Sequence, residues 1–205
     1  MKITKKELAV MKNLFSITLV AVSLVFTSCE IPDDLNDNPN EITLSDVDAR
    51  LFLNGAQLAN TLAQCGHLNR ISGMYSGQLT GFTSLYSNIY GYSLSTVESN
   101  DEWRLVYTGV ITNTRHIRET APDDNLLVGI SKILEAHAVG TMAILMGDVP
   151  YSEIGGEIDD PAFESQVSVL NSLSSLLDAG ISDLNSASSK SEAYDVYFDG
   201  DKDNW

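Results

Sequence analysis

The sequence predicts an all-α fold of antiparallel helices joined by short turns. Three observations carry that expectation. Apolar residues recur at helical spacing in several segments between residues 44 and 187. Capping residues stand just before those segments, and Gly or Pro stands just after several of them. One stretch, 136–146, is apolar or small almost all round apart from His137 and Thr141, as a helix buried between neighbours is. On it Ala136, Ala138, Gly140 and Ala143 offer small surfaces to large residues of the next helix. That pairing suits a helical-repeat stack, although no clean repeat consensus is present.

The chain opens with an export signal. Lys12 leads into an apolar run, Leu14 to Phe26, followed by Thr27, Ser28 and Cys29. The run is shorter than the roughly 20 residues a transmembrane helix needs. A cysteine directly after small residues indicates a bacterial lipoprotein, with residues 1–28 as signal peptide and Cys29 as the lipidated residue. A plain secretory signal and an uncleaved anchor are the alternatives. Phe26 stands where such signals usually carry Leu. Lys2, Lys5 and Lys6 either extend the basic region or precede a true start at Met11. Residues 29–43 are acidic and rich in Asn and Pro; a segment with so little to bury reads as a tether.

The folded part is expected over 44–205. Its first helix is expected to start near Ser45, with Asp48 completing a capping box, and to bury Val47, Leu51, Leu58 and Leu62. A second helix is expected around Leu68, Ile71, Tyr75 and Leu79. Gly73, Gly77 and Gly81 either form a bare face on it or end it early. Residues 81–99 lack a helical period and read as an aromatic loop with short strand-like pieces. Asn100-Asp101-Glu102 opens a third helix with a stripe from Trp103 to Ile117; Arg104, Thr108, Arg115 and Arg118 lie off the stripe, and Pro122 ends it. Asp123 or Asp124 caps the next helix, which runs from Leu126 to Met146 and stops at Gly147. Ser165 caps a last one, 166–187, with a stripe of Leu170, Leu173, Leu177, Ile181 and Leu184.

Charge excludes one class of partner. Residues 1–28 hold four of the 12 basic and one of the 28 acidic residues, so the remainder carries 8 basic and 27 acidic residues, a formal charge of −19. Nucleic acid needs a basic face. Anionic lipid is disfavoured as well, so acyl chains on Cys29 would have to hold the chain at a membrane. With Cys29 acylated, Cys65 has no intrachain partner and reads as a small buried hydrophobe.

Catalytic and metal signatures are missing. His67, His116 and His137 are not at ligand spacing, and His137 reads as a satisfied core residue. There is no HExxH, CxxC, GxSxG, Walker or Rossmann pattern. Asp199 to Asn204 resembles the start of a calcium loop but lacks Gly at the sixth position, so no metal is assigned. The candidate recognition element is the aromatic loop, with Phe82, Tyr86, Tyr90 and Tyr92 available to stack on sugar rings. Packing of these tyrosines under their own loop is the alternative.

Leu145-Met-Gly-Asp-Val-Pro-Tyr-Ser-Glu153 resembles the hallmark of the SusD/RagB family of outer-membrane nutrient-binding lipoproteins. The Asn36-Asp-Asn-Pro39 tether, the Trp103 to Ile117 helix, Pro161-Ala-Phe-Glu-Ser-Gln166 and the Asp195 to Trp205 segment resemble further family motifs in the same order. The resemblance implies tetratricopeptide-like helix pairs, no enzymatic activity and no cofactor. It implies capture of oligosaccharides or peptides at the outer membrane and delivery to a SusC-like TonB-dependent porin. It gives Gly147, Asp148, Pro150 and Tyr151 a structural role. Family members are much longer, so the chain is expected to be an N-terminal portion. The competing expectation is a helical-repeat scaffold lipoprotein that assembles outer-membrane complexes.

Overall fold

In the computed structural model the described residues are Phe15, 43–156, 158, 160–188 and 194–205. The expected signal peptide (Phe15 apart), Cys29 and the expected tether up to residue 42 lie outside them. Residues 43–205 form one unit. Among the described residues it holds six helices: α1 (Ala49–Cys65), α2 (His67–Tyr75), α3 (Ser84–Tyr90), α4 (Asn100–Arg104, continuing through a π-helical Leu105–Ile111 into Thr112–Thr120), α5 (Asn125–Met146) and α6 (Gln166–Ser186). Among the described residues there is no strand, only one isolated antiparallel bridge, Val149 to Glu164. α5 is the central helix; it packs along α6 on one side and against α4 and α1 on the other.

The start of α1 lies later than the sequence suggests. Thr43 and Asp46 close a 3-10 turn, Leu44–Asp46, with Thr43 N donating to Asp46 Oδ2 at 3.2 Å. Asp48 then caps α1 by accepting from Arg50 N at 3.0 Å. The side-chain hydrogen bond from Arg50 is the main reason its carboxyl is held down to about 2.

The expected buried stripe of α1 is overturned. Leu51, Leu58 and Leu62 are exposed, whereas Leu53, Ala56, Gln57, Ala59, Asn60 and Ala63 face inward. The reason is the close approach of α4. A Cβ placed on Gly109 would stand 2.5 Å from Ala59 Cβ. Only a face of small residues fits there, and packing density outweighs the number of leucines.

α2 ends early, so its glycines do not share a helical face. Gly77 takes φ 74, and Gln78 N donates to Gly73 O at 2.8 Å. Residues 81–99 are not a plain loop with strand-like pieces. They hold α3 and a 3-10 turn, Thr96–Ser99. Ile89 is the one residue of α3 that is buried, so no periodic stripe marks the helix in the sequence.

α4 buries Val106, Val110, Ile111, Thr114 and Ile117, as the stripe predicts, and stops before Pro122. Asp124, one of the two capping candidates, accepts from Leu126 N and Leu127 N, both at 3.1 Å. α5 is long and apolar enough to cross a membrane, but two-thirds of that stretch is buried inside this fold. Its last turn departs from the expectation: Ile144 and Leu145 are exposed. His137 is also exposed, at the edge of α5, its Nδ1 3.2 Å from Asn60 Nδ2. Cys65, expected inside, is free and exposed at the end of α1.

α6 buries Val169, Leu173, Gly180 and Leu184, while Leu177 and Ile181 of the expected stripe face outward. The stripe is rotated because α5 and α6 cross at paired glycines. A Cβ on Gly129 would lie 2.7 Å from Leu184 Cγ and 3.0 Å from Gly180 O. Gly129→Val is therefore expected to destabilise the fold by about 1–3 kcal/mol through overpacking. Urea unfolding followed by circular dichroism reads this directly; an unchanged midpoint would rule out the close crossing.

Candidate functional site

Three polar clusters and two adjoining cavities organise the chemistry of this fold. The first cluster joins the end of α5 to the start of α6. Gly147 ends α5 at φ 87, a conformation L side chains rarely adopt. Asp148 Oδ1 accepts from Gln166 N at 2.9 Å, at the first residue of α6, and Gln166 Nε2 donates back to Ala143 O at 2.7 Å. Val149 and Glu164 exchange two backbone hydrogen bonds of 3.1 Å. Pro150 O accepts from Tyr107 OH at 2.8 Å. Glu164 Oε1 accepts from Ser152 N at 2.6 Å and Tyr151 N at 3.2 Å, and the Ser152 bond is the main cause of its lowered pKa. The Gly147-Asp-Val-Pro-Tyr151 and Glu164-Ser-Gln166 segments thus bind one another, an arrangement in which the chain itself uses their polar groups.

The second cluster centres on Glu135, which is 1% exposed in the middle of α5. Its carboxylate accepts from Tyr151 OH at 3.0 Å and Thr114 Oγ1 at 2.9 Å. Arg118 Nη2 pairs with Oε2, and Arg115 Nη2 lies 3.5 Å from Oε1. Arg115 also donates to the carbonyls of Tyr151 and Ile154. Burial first, then the adjacent Glu135 charge, raise the Tyr151 phenol above its ordinary range. Arg115 and Arg118, read from the sequence as lying off the packed stripe, are half-buried partners of this carboxylate.

The third cluster ties the last described segment to α1. Asp195, 3% exposed, accepts from Trp205 Nε1 (2.6 Å), Gly200 N (2.9 Å) and Tyr197 N (3.0 Å), and from Gln57 Nε2. Tyr197 OH donates to Gln57 O at 2.9 Å. Asp201, part of the calcium-like run, accepts from Asp203 N and Asn204 Nδ2. Among the described residues no group of three His, Cys, Asp or Glu is placed to hold a metal ion.

The aromatic candidates divide. Phe82 is 85% and Tyr92 73% exposed, and Tyr90 is exposed too. Tyr86 is half-buried beneath Arg70, whose guanidinium lies 5.7 Å from the ring centroid, and beside His67 at 6.0 Å. Tyr92, at φ 61, stacks on Tyr75 with centroids 4.9 Å apart and planes 19° apart. Tyr75 lines an apolar cavity of about 500 Å³ between α2, the 94–99 turn and the end of α5, with Leu68, Ile71, Leu94, Leu145 and Met146. Of the four candidates, only Tyr92 is linked through its stacking partner to this cavity; none of the four is among the residues that line it. The exposed Leu145 at the end of α5 is explained by this opening. Sequence reasoning missed the cavity because its wall comes from three separate segments, each unremarkable alone.

This is an all-α fold of the tetratricopeptide-like class with an open, aromatic-edged cavity. A crystal structure of a SusD-like protein from Bacteroides thetaiotaomicron superposes on it with a TM-score of 0.67 at 18% identity, covering 77% of this chain and 35% of that one. No curated protein sequence is similar enough to match. A SusD-like family model, described as "Starch-binding associating with outer membrane", matches residues 39–205, and the chain belongs to that family.

Proposed function

We propose that this chain forms the N-terminal part of a cell-surface lipoprotein that captures oligosaccharides and passes them to a SusC-like TonB-dependent outer-membrane porin. The observation that carries the reading is the apolar cavity beside the stack of half-buried Tyr75 and exposed Tyr92, in a chain of a family described as starch-binding. Apolar sugar faces stack on aromatic rings while hydroxyls reach polar groups at the rim. The task is binding, and the clusters around Glu135, Glu164 and Asp195 supply the rigid frame for it. Acylated Cys29 anchors the chain, and the 29–43 tether holds the fold off the lipid. Phe82, Tyr86 and Tyr90 belong to the same face of recognition in this reading.

Retention on immobilised polysaccharides and isothermal titration with soluble oligosaccharides test the capture step. Tyr92→Asn, which tolerates the positive φ, is expected to weaken glycan binding about five- to tenfold with little change in melting temperature. Absence of binding to every glycan by the wild-type protein sinks the reading. Incorporation of labelled palmitate at Cys29 tests the anchor, and copurification with a TonB-dependent porin tests the handover.

A further inference from the structure

The apolar cavity is a poor seat for an unsubstituted sugar ring. Its wall is mainly Leu68, Ile71, Tyr75, Leu94, Leu145 and Met146. Tyr75 is the single aromatic residue among them, and its ring already stacks on Tyr92. The polar groups in the wall are few, and two of them are engaged locally. Glu98 Oε2 accepts from Ser95 N at 2.9 Å, and Ser99 Oγ donates to Thr96 O at 3.3 Å. A sugar ring seated here would strip water from its hydroxyls and recover few hydrogen bonds, which is costly for each group left unmet.

Sugar chemistry is offered next to it. A second cavity, of about 450 Å³, adjoins the first; Ser95 and Glu98 line both. Its wall is polar apart from Leu85, with His67, Arg70 and Asp101 beside the shared pair. Arg70 and Asp101 are exposed, so their charged ends are open to a ligand. A guanidinium offers donors and a carboxylate offers acceptors; sugar hydroxyls, which do both, can meet either. An apolar and a polar cavity side by side ask for a ligand with one apolar and one polar part.

The geometry points to a glycan that carries an aryl group, as an aryl glycoside or an aromatic-acid ester does, with its sugar in the polar cavity and its ring in the apolar one. This rests on the glycan-capture reading above and names the class of glycan. The size fits. A cavity of about 150 Å³ lined by Leu, Ile and Phe holds benzene. This one is about 500 Å³, with room for a ring and its linkage. The walls favour an aromatic over a saturated ring of the same size, because Tyr75 offers an aromatic contact and Met146 a thioether sulfur.

Isothermal titration of the full chain with maltotriose, its phenyl glycoside and its cyclohexyl glycoside tests the assignment. The phenyl glycoside is expected to bind about tenfold tighter than maltotriose, and tighter than the cyclohexyl glycoside. Leu145→Asn and Leu94→Asn, at half-exposed leucines of the cavity wall, are expected to erase most of that preference with little change in melting temperature. Leu51→Asn, at a similarly exposed leucine of α1 that does not line the cavity, is expected to keep it. Equal affinities for maltotriose and the phenyl glycoside overturn the aryl subsite and leave glycan capture standing. A preference that survives in both cavity variants, or that Leu51→Asn lowers as much, does the same. A cyclohexyl glycoside bound as tightly as the phenyl one overturns the choice of an aromatic group. A phenyl glycoside that does not bind at all overturns the aryl subsite, and glycan capture then stands or falls by retention on the immobilised polysaccharides.

Discussion

Replacing Glu135 with leucine is expected to lower the stability of the fold by about 3–5 kcal/mol, the range for breaking a buried ion pair on one side. Glu135 gathers Arg115, Arg118, Thr114 and Tyr151 from α4 and the turn after α5. Leucine fills much of the volume but leaves two half-buried guanidiniums without their anion and the Tyr151 hydroxyl without its acceptor, while Thr114 Oγ1 keeps the Ile111 carbonyl. The loss should therefore come from uncompensated polar groups rather than from a cavity. A double mutant separates the two causes: Glu135→Leu combined with Arg118→Leu is expected to recover part of the loss, because the charge left behind is removed with its partner. Equilibrium urea unfolding measures both. If Glu135→Leu unfolds at the wild-type midpoint, the cluster contributes nothing to stability, and the account of the Tyr151 anchor fails with it.

The other large effect is expected at Asp195. Removing its carboxylate in Asp195→Ala leaves Trp205 Nε1, Gly200 N and Gln57 Nε2 without an acceptor in a nearly buried site. Tyr197 N loses the same acceptor; each such orphan costs about 1–3 kcal/mol, and the four are not additive, so a loss of about 3 kcal/mol or more is expected. The pH dependence carries a second signature. Burial pushes the Asp195 pKa up, but the hydrogen bonds from Trp205, Gly200, Gln57 and Tyr197 outweigh it and hold the group below its ordinary value. A carboxyl with a depressed folded-state pKa stabilises the fold above its unfolded pKa of about 4, and that contribution is lost as pH falls through the folded value. Thermal melts from neutral pH downward should therefore show wild type losing stability in the acid range, with a shallower decline in Asp195→Asn. Parallel profiles for the two proteins would contradict the placement of this carboxylate.

Both effects lie in residues the sequence made visible only in part. Asp195 and Trp205 stand in a recognisable segment, yet their common partner Gln57 lies on α1, far away in the chain. Glu135 is an acid inside an apolar helix, and Arg115 and Arg118 are spaced one helical turn apart on the helix before it. That pattern is the signal from which the buried cluster was readable, and it becomes decisive only once α4 and α5 are side by side. The candidate site was less legible. Tyr92 was marked by its residue type and its polar neighbours, whereas the cavity next to it depends on Leu68, Leu94 and Leu145 meeting from three segments. Glu102 read as a helix-start acid, which it is; its burial shows only in the folded chain, where it lines a cavity together with His67 and Arg70 of α2.

What the sequence determined by itself is local. The helix ends at Asp123 or Asp124, Gly147 and Ser165, the stop before Pro122 and the inward stripe of α4 follow from capping, φ and periodicity, all settled within a turn or two of chain. The motifs between Asn36 and Trp205, taken together in their order, were enough to indicate the family. Only the tertiary structure decided which face of α1 turns inward, how far the stripe of α6 is rotated, and that residues 84–90 form a helix. In each case the deciding term is contact with a partner surface. Ala59 meets Gly109 and Gly129 meets Gly180 at distances no larger side chain allows. Close packing there outweighs the hydrophobicity of Leu51, Leu58, Leu62 and Ile181, and leaves them at the surface.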